Sequence, residues 1–216
     1  MDAEFWLNCW KNNHLGFQLE EPHPLLVAAL PILPKVHRVF VPLCGKSPDL
    51  HLLAQHYAVV GSELSAIACN DFFAEAGCEP AKENFAEHVL FSHQQVVIWQ
   101  GDFFTLPVAA VKDIELVYDR AALIALPGEL RERYVQNLRQ YLPKATMLLI
   151  SLEYPQEEKV GPPFSVSEAE IFRLFVGAKI SKLADVDLTG AGFARRRFLT
   201  SRLVESSWLI SWESQS

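Results

Sequence analysis

Polar side chains directly follow four short apolar runs of this sequence, and they are the residues best placed to do chemistry. The four sites are the Leu43-Cys44-Gly45-Lys46 turn, Glu63, Asp102 with Phe103, and Asp119 with Arg120. In an open α/β sheet, ligands bind at the carboxyl ends of the strands, close to the point where the strand order reverses. We therefore predict that these residues meet at one binding cleft.

Glu63 stands eighteen residues after Gly45, a spacing that suits a carboxylate accepting hydrogen bonds from ribose hydroxyls in a nucleotide-binding fold. Asp102 followed by Phe103 combines an acid with an aromatic ring, a pair able to hold the edge and face of a purine. Each site has a structural alternative. Glu63 would then cap the next helix, Asp102 and Asp119 would form turns, and Arg120 would pair with a carboxylate at the surface. The coincidence of all four at strand ends favours function.

Gly45-Lys46-Ser47 has the form of the end of a phosphate-binding loop, but the rest of that loop is missing. Phe40 stands where the first glycine is needed, and Pro42 lacks a backbone N–H. A phosphate loop is therefore not predicted. Cys44 would need a neighbouring base to act as a nucleophile, and the sequence identifies none, so we interpret it as a packed thiol.

The elements that must position these residues alternate between strands and helices. Strands are predicted at 39–43, 58–61, 96–99, 114–118, 147–150, 180–186 and 207–212. Helices are predicted to begin at Ser47-Pro48 (with Leu50, Leu53, Ala54 and Tyr57 on one face), after Pro127-Gly128, and at the Ser167/Glu170 capping box. This order predicts an α/β fold with a mainly parallel central sheet.

The N-terminal segment has a different character because it is rich in aromatic residues. Trp6 and Trp10 stand four residues apart, so a helix would place both indoles on one face, and Phe17 lies beyond a break at Gly16. Two interpretations stay open. The aromatic patch docks the segment on the core, or the segment is a lid that closes over a ligand.

Length and charge restrict the class of protein. The chain has 216 residues, half of them hydrophobic, with a formal net charge of −7, which fits one domain with a sizeable core. An acidic chain does not favour nucleic-acid binding, since that requires clustered Lys and Arg. The one short basic cluster, Arg195-Arg196-Arg197, is interpreted as solvated surface, with an anion or substrate contact as the alternative.

Neither a membrane span nor a metal site is predicted. No run approaches the ~20 apolar residues that cross a bilayer, and the acidic start Met1-Asp2-Ala3-Glu4 lacks the order of a signal peptide, so we expect a cytoplasmic protein. The four cysteines include no Cys-x-x-Cys pair, and the seven histidines lack the spacing of metal ligands.

Several long blocks of the sequence are those of a known family. They are FWLNCWKNNHLGF, RVFVPLCGKSPDLHLLA, VVGSELS, GDFFTLP, VYDRAALIALPGELRERYVQNL, LEY and GPPFSVSEAEI. In this order and spacing the chain resembles the bacterial branch of the thiopurine S-methyltransferase family, from about Phe5 to Ile210. The resemblance implies a Rossmann-like methyltransferase fold, with a seven-stranded, mainly parallel sheet, helices on both faces and an N-terminal helical lid. It implies one domain over 1–216, in which 1–35 cover the cofactor and 36–216 form the core.

The same resemblance implies roles for individual residues. Contacts with the cofactor S-adenosylmethionine fall to Trp6, Trp10, Leu43, Gly45, Glu63, Asp102, Phe103 and Arg120. Glu63 corresponds to the acid on the ribose hydroxyls, and Asp102 and Phe103 correspond to the adenine end. Arg120 corresponds to an arginine beside both the cofactor and the thiol, which makes it the candidate catalytic residue. Phe17, Arg120 and Arg195 correspond to the substrate pocket.

The implied activity is methyl transfer from S-adenosylmethionine to the sulfur of an aromatic or heterocyclic thiol, leaving S-adenosylhomocysteine, by a monomer that needs no metal. The acceptor is a small thiol or chalcogen compound. Alternatives that stay open are methylation of selenium or tellurium species or of small thiols, and a cofactor-binding domain without transfer activity.

Overall fold

The computed structural model describes residues 3–194 and 196–212. Six α-helices are found in these ranges: α1 Ala3–Lys11, α2 Pro24–Ala29, α3 Asp49–Leu53, α4 Ala66–Glu75, α5 Gly128–Tyr141 and α6 Glu168–Leu174. The strands there are β1 Arg38–Val41, β2 Ala58–Glu63, β3 Ala81–Phe85, β4 His88–His93, β5 Val96–Gln100, β6 Leu116–Arg120, β7 Thr146–Glu153, β8 Ala178–Asp187, β9 Gly192–Phe193, β10 Arg196–Arg197 and β11 Val204–Trp212.

Nine of these strands form one sheet in the order β3-β4-β5-β2-β1-β6-β7-β11-β8, and β9 pairs with β10 in a separate ribbon. The five central strands, from β5 to β7, pair in parallel, whereas both edges are antiparallel. Strands β2 to β5 lie on one side of β1, and β6 pairs with β1 on its other side. The strand order therefore reverses between β1 and β6, where an open α/β sheet binds its ligand.

The predicted α/β fold is confirmed, but the sheet has more strands than the seven expected. The additional pair is the hairpin β3–β4 at one edge. All five residues of β3 are exposed, so the strand has neither an apolar run nor an inward-facing set of side chains to reveal it. The hairpin extends the edge beyond β5, away from the reversal point.

Element boundaries differ from the predicted ones by a few residues. β1 ends at Val41, two residues early, because the backbone at Leu43 turns into the left-handed region with φ of 47°. β6 begins and ends two residues late, so Asp119 and Arg120 are its last two residues rather than the turn after it.

Helix α3 is shorter than predicted. It begins at Asp49, whose N–H donates to the Ser47 hydroxyl at 3.2 Å, and it ends at Leu53, so Ala54 and Tyr57 lie beyond it. The chain leaves the helix there to enter β2 at Ala58.

The start of α6 confirms the predicted cap at Ser167, whose hydroxyl accepts from the Glu170 N–H at 3.2 Å. The Glu170 carboxylate instead accepts from Arg131 Nη1 at 2.8 Å, which ties α6 to α5.

The core lies on both faces of the sheet. One face buries Phe103, Tyr134 and Trp208, and the other buries Leu50 and Tyr118 among many further apolar side chains. Within the described ranges, no helix combines the length and apolar character required to cross a membrane.

Candidate functional site

A cleft opens at the reversal point of the sheet, between the ends of β1, β2 and β6. Its empty space, counted together with its open mouth, is about 720 Å³. Its walls are Phe5, Trp6, Trp10, Phe17, Leu43, Gly45, Glu63, Leu64, Ala121, Ile124, Ala125, Pro162, Pro163 and Phe193. The cleft therefore brings together six of the predicted site residues: Trp6, Trp10, Phe17, Leu43, Gly45 and Glu63.

The turn after β1 presents backbone to the cleft. Leu43 and Gly45 both have positive φ, 47° and 54°, and the Cys44 N–H donates to the Ser62 carbonyl at 2.9 Å, tying the turn to β2. A Cβ on Gly45 would lie 3.2 Å from Cζ2 of Trp10. Glycine is therefore favoured at position 45 for two reasons, the left-handed backbone and the close approach of the indole.

Glu63 ends β2 with its carboxylate buried at the cleft. Oε2 accepts from the Gly45 N–H at 2.8 Å and Oε1 accepts from the Ser65 N–H at 2.7 Å. Burial raises the pKa of Glu63 to about 6, against the lowering effect of these hydrogen bonds. The cap of α4 is Ser65, whose hydroxyl accepts from the Ala68 N–H, so Glu63 is not the helix cap. The carboxylate keeps acceptor capacity for a ligand, since its two oxygens offer about four lone pairs.

Arg120 ends β6 and reaches toward the N-terminal segment. Its Nη1 donates to the Phe17 carbonyl at 3.1 Å, and its guanidinium carbon lies 5.7 Å from the centre of the Phe193 ring. Nε is buried and has no hydrogen-bond partner among the described residues. Phe17 and Phe193 are wall residues while Arg120 is not, so the cation lies directly behind the aromatic wall.

Helix α1 closes one side of the cleft with aromatic rings. The Phe17 ring makes edge contacts with Trp6 and Trp10, at centroid distances of 5.5 and 5.7 Å. As predicted, the two indoles share a face of one helix, and Trp10 is buried. The rings give this side of the cleft an apolar surface.

Comparisons with known proteins bear on this geometry. The sequence model of the family described as "Thiopurine S-methyltransferase (TPMT)" matches residues 1–212. This chain belongs to the thiopurine S-methyltransferase family. A curated thiopurine S-methyltransferase of Vibrio cholerae is 46% identical over 97% of each chain. One from Photobacterium profundum is 42% identical over 97% of this chain and 99% of its own.

Solved structures share the fold at low sequence identity. A SAM-dependent methyltransferase from Anabaena variabilis matches with a TM-score of 0.67 and 16% identity, covering 98% of this chain and 95% of that one. The N-methyltransferase NodS from Bradyrhizobium japonicum, solved with S-adenosyl-L-homocysteine, matches with a TM-score of 0.58 and 13% identity, covering 88% and 84%. The Rossmann-like methyltransferase fold predicted from the sequence is thereby confirmed.

The cleft of this family member fits S-adenosylmethionine, the cofactor that the family and fold imply. Glu63 offers acceptor lone pairs to hydroxyl donors, and Gly45 leaves the backbone open because it has no Cβ. The sulfonium of the cofactor is positively charged, and a buried carboxylate among aromatic rings is a favourable environment for a cation. The donor set therefore agrees with the cofactor.

Asp102 and Phe103 follow β5 but do not line the cleft. Asp102 is exposed, and its Oδ1 accepts from the Phe104 N–H at 2.9 Å, which caps the 3₁₀ turn Phe103–Thr105. The Phe103 ring is buried in the core, 6.4 Å from Phe40 and 5.1 Å from Tyr134. Their assignment to the adenine end stays a prediction. Arg195 lies outside the described residues.

Cys44 is a buried thiol in this fold. Burial raises its pKa well above the ordinary value, and the nearby Glu63 carboxylate adds to the rise. A thiol with a raised pKa supplies little thiolate, so Cys44 lacks the property of a nucleophile. Within the described ranges, no three metal-ligating side chains converge on a possible ion site.

Sequence reasoning missed the far wall of the cleft, formed by Ala121, Ile124, Ala125, Pro162, Pro163 and Phe193. These side chains are apolar and give no chemical signal. The signal that could have found most of them is their place in two of the family blocks, DRAALIAL and GPPF. The Ile124 carbonyl accepts from the Phe164 N–H at 2.7 Å and so joins the two blocks along this wall.

Proposed function

We propose that this chain transfers a methyl group from S-adenosylmethionine to the sulfur of aromatic or heterocyclic thiols such as thiopurines. The observation that carries the proposal is the cleft itself. A buried carboxylate, Glu63, and a partly buried guanidinium, Arg120, end β2 and β6 on opposite sides of the reversal point, and aromatic side chains line the cleft beside them. Membership of the thiopurine S-methyltransferase family supports the same conclusion.

The cofactor side of the cleft is assigned to the ends of β1 and β2. Glu63 would accept from the ribose hydroxyls, the Leu43–Gly45 turn would contact the cofactor through its backbone, and Trp10 with Trp6 would cover it. Asp102 and Phe103 are proposed at the adenine end, and Arg120 is proposed to contact both the cofactor and the acceptor. When bound, S-adenosylmethionine supplies an electrophilic methyl group on its sulfonium.

The acceptor side is assigned to Phe17, Arg120 and Arg195. Aromatic thiols and thiones are acidic enough to be substantially ionised near neutral pH, so no strong general base is required. The Arg120 cation would favour the thiolate over the thiol, which is the catalytic role proposed for it. Holding donor and acceptor in line can lower the barrier by ~7–11 kcal/mol, and no covalent intermediate with the protein is needed.

The chain is further proposed to act as a cytoplasmic monomer with one domain over 1–216. Residues 1–35 would cover the bound cofactor and 36–216 would form the core. The contacts of Trp6 and Trp10 with Phe17 support the covering role, since they place α1 at the cleft.

The test is transfer of a labelled methyl group from S-adenosylmethionine to a panel of thiopurines, aryl thiols, selenite and tellurite. Transfer to aromatic thiols is the expected result, and transfer to selenium or tellurium species alone would move the activity to the chalcogen class. If S-adenosylhomocysteine binds while no acceptor is methylated, the chain is a binding domain and the proposal fails.

Two arginine variants show whether the measured activity comes from this cleft. Arg120→Gln should lower transfer by at least tenfold, because the thiolate loses its cation. Arg173→Gln is the matched control, since Arg173 is exposed on α6 and pairs only with Glu132 and Glu170 among the described residues. Equal loss in both variants would show that Arg120 has no special role.

A further inference from the structure

A buried carboxylate lies directly behind the far wall of the cleft, and the proposed chemistry gives it no part. Asp119, the residue before Arg120 on β6, has 0% of its surface exposed. Its Oδ1 accepts from the N–H groups of Ala122 and Leu123 at 3.1 and 3.2 Å. Its Oδ2 accepts from the hydroxyl of Tyr134 at 2.6 Å. Both oxygens are therefore engaged, and no cation among the described residues pairs with either of them.

These bonds hold a turn that forms part of the cleft wall. Ala121 lies in the left-handed region with φ of 72°, a conformation that alanine disfavours, and it lines the cleft. The two N–H groups bound by Asp119 belong to the next two residues and compensate for this disfavoured backbone. Ile124, in the 3₁₀ turn that follows, is also a wall residue.

Tyr134 fixes the carboxylate from behind. It lies in the middle of α5 with 0% of its surface exposed, and its ring centre is 5.1 Å from that of Phe103. A hydrogen bond from a hydroxyl to a carboxylate is stronger than one between neutral groups and has a more defined geometry. Through this bond, α5 holds the Asp119 carboxylate in place at the end of β6.

A buried carboxylate is a poor choice for stability alone. An apolar side chain of similar size would avoid the cost of removing a charge from water. The hydrogen bonds of Asp119 hold the turn after β6, so we explain the buried acid by the residues that this turn positions. The turn presents Arg120 on one side and the Ala121–Ile124 wall on the other.

We propose that Asp119, held by Tyr134, is a positioning residue that directs Arg120 and sets the acceptor-side wall of the cleft. The inference rests on the proposed function, because it names which half of the transfer reaction the pair serves. Glu63, Gly45 and Trp10 are on the other side of the cleft and receive none of these bonds. The pair should therefore affect the thiol more than the cofactor.

The experiment compares Asp119→Asn and Tyr134→Phe with the wild-type chain. Calorimetry gives the dissociation constant of S-adenosylhomocysteine, and then that of mercaptopurine for the S-adenosylhomocysteine-loaded protein. Steady-state assays give KM for the same thiol and kcat. In each variant we expect the mercaptopurine dissociation constant and the KM for mercaptopurine to rise by about tenfold. The dissociation constant of S-adenosylhomocysteine should change by less than about threefold, because a misplaced Arg120 and a shifted wall affect only the acceptor side.

Tyr118→Phe is the matched control. Tyr118 is the preceding residue of the same strand, and its buried hydroxyl donates to Asp49 at 2.8 Å on the opposite face of the sheet. Its loss should lower the melting temperature without changing the mercaptopurine dissociation constant.

The proposal is overturned if Asp119→Asn and Tyr134→Phe lower the melting temperature as the control does but leave both mercaptopurine constants unchanged. It is also overturned if S-adenosylhomocysteine binding weakens as much as thiol binding. If Asp119→Asn fails to fold, Tyr134→Phe alone tests the proposal, because it removes only the hydroxyl that donates to Asp119 and keeps the aromatic ring. A wild-type chain that binds mercaptopurine without methylating it would refute the proposed function, while the binding constants would still test the positioning role.

Discussion

The carboxylate of Glu63 and the backbone N–H of Gly45 form a 2.8 Å hydrogen bond that joins the ends of β2 and β1 at the cleft. This bond gives Glu63 a fixed orientation and leaves it an acceptor for a ligand. Because Glu63 is buried, its pKa is raised to about 6, so the residue titrates close to neutral pH. The same group that fixes the turn is therefore sensitive to mild acid.

We predict that cofactor affinity falls as the pH falls through about 6, the raised pKa of Glu63. The ionised carboxylate predominates above this value and accepts from hydroxyl donors, whereas the protonated form has lost part of that capacity. The dissociation constant of S-adenosylhomocysteine should be flat above pH ~7 and rise by up to about tenfold per pH unit below 6. Calorimetry between pH 5 and 8 measures this.

Glu63→Gln is the control for that titration. It should bind S-adenosylhomocysteine weakly at every pH, with a flat profile. Burial also raises the pKa of Asp119 to about 6. A pH dependence that persists in Glu63→Gln would show that another group, such as Asp119, controls cofactor binding, which would contradict both the role of Glu63 and the restriction of Asp119 to the acceptor side. Wild-type affinity that stays constant down to pH 5 would contradict the role of Glu63.

A second prediction concerns the missing Cβ of Gly45. Gly45→Ala should lower the free energy of unfolding by about 1–2 kcal/mol, because φ is 54° there. It should also weaken S-adenosylhomocysteine binding, since the new Cβ would lie 3.2 Å from the Trp10 ring and displace it. Urea unfolding and calorimetry measure the two effects.

Gly77→Ala separates these two effects. Gly77 has a similar φ of 67°, but its Cβ would have no neighbour within 4 Å. This variant should lose a comparable amount of stability and keep wild-type affinity. If Gly45→Ala also keeps wild-type affinity, Trp10 does not cover the cofactor.

The sequence predicted the parts of the fold and site that carry a local signal. Apolar runs such as the one in Val96–Gln100 predict strands, and the spacing of Gly45 and Glu63 indicates a nucleotide-like ligand. The spacing of Trp6 and Trp10 predicts only that they share a helix face. The hairpin strand Ala81–Phe85 was missed because all its side chains are exposed and its pairing is set by its neighbour β4. A strand is recognised in a sequence by the alternation of buried and exposed side chains, and an edge strand whose side chains are all exposed lacks this alternation.

The far wall of the cleft could not be predicted for the opposite reason. Ile124 and Phe193 are buried apolar residues that face a cleft rather than the core, and a sequence pattern does not distinguish these surroundings. For Asp119 the structure shows the turn-forming role that the sequence offered only as the alternative to a ligand contact. Its bond to Tyr134, fifteen residues away on α5, could not be predicted because it depends on how the helix packs against the sheet.

A third prediction is that the N-terminal segment becomes ordered over the bound cofactor. Lys11 is exposed at the end of α1, and the helix meets the cleft through Trp6 and Trp10. Tryptic cleavage after Lys11 should therefore slow at least several-fold when S-adenosylhomocysteine is present, because cleavage requires local opening that the ligand disfavours. Mass spectrometry of a digestion time course measures the rate.

Cleavage after Lys144 provides the internal reference in the same digest. Lys144 is exposed in the turn between α5 and β7, away from the cleft, so its rate should not depend on the ligand. Equal cleavage before Gly16 with and without S-adenosylhomocysteine would refute the ordering.

The last prediction tests Cys44 as a packing residue. Cys44→Ala should keep kcat/KM for thiol methylation within about threefold of wild type, whereas loss of a true nucleophile costs orders of magnitude.

The packing role of Cys44 should appear as an energetic coupling to Gly61, where an added Cβ would lie 2.8 Å from the Cys44 sulfur. Gly61→Ala should be strongly destabilising alone and less so together with Cys44→Ala, by about 0.5–3 kcal/mol of coupling energy from urea unfolding. Cys69 is another buried thiol, and its sulfur is not among the three atoms nearest to that Cβ, so Cys69→Ala should couple to Gly61→Ala more weakly than Cys44→Ala does. Additive behaviour of Cys44→Ala with Gly61→Ala, or a loss of methylation in Cys44→Ala at unchanged stability, would return the thiol to the list of candidate catalytic groups.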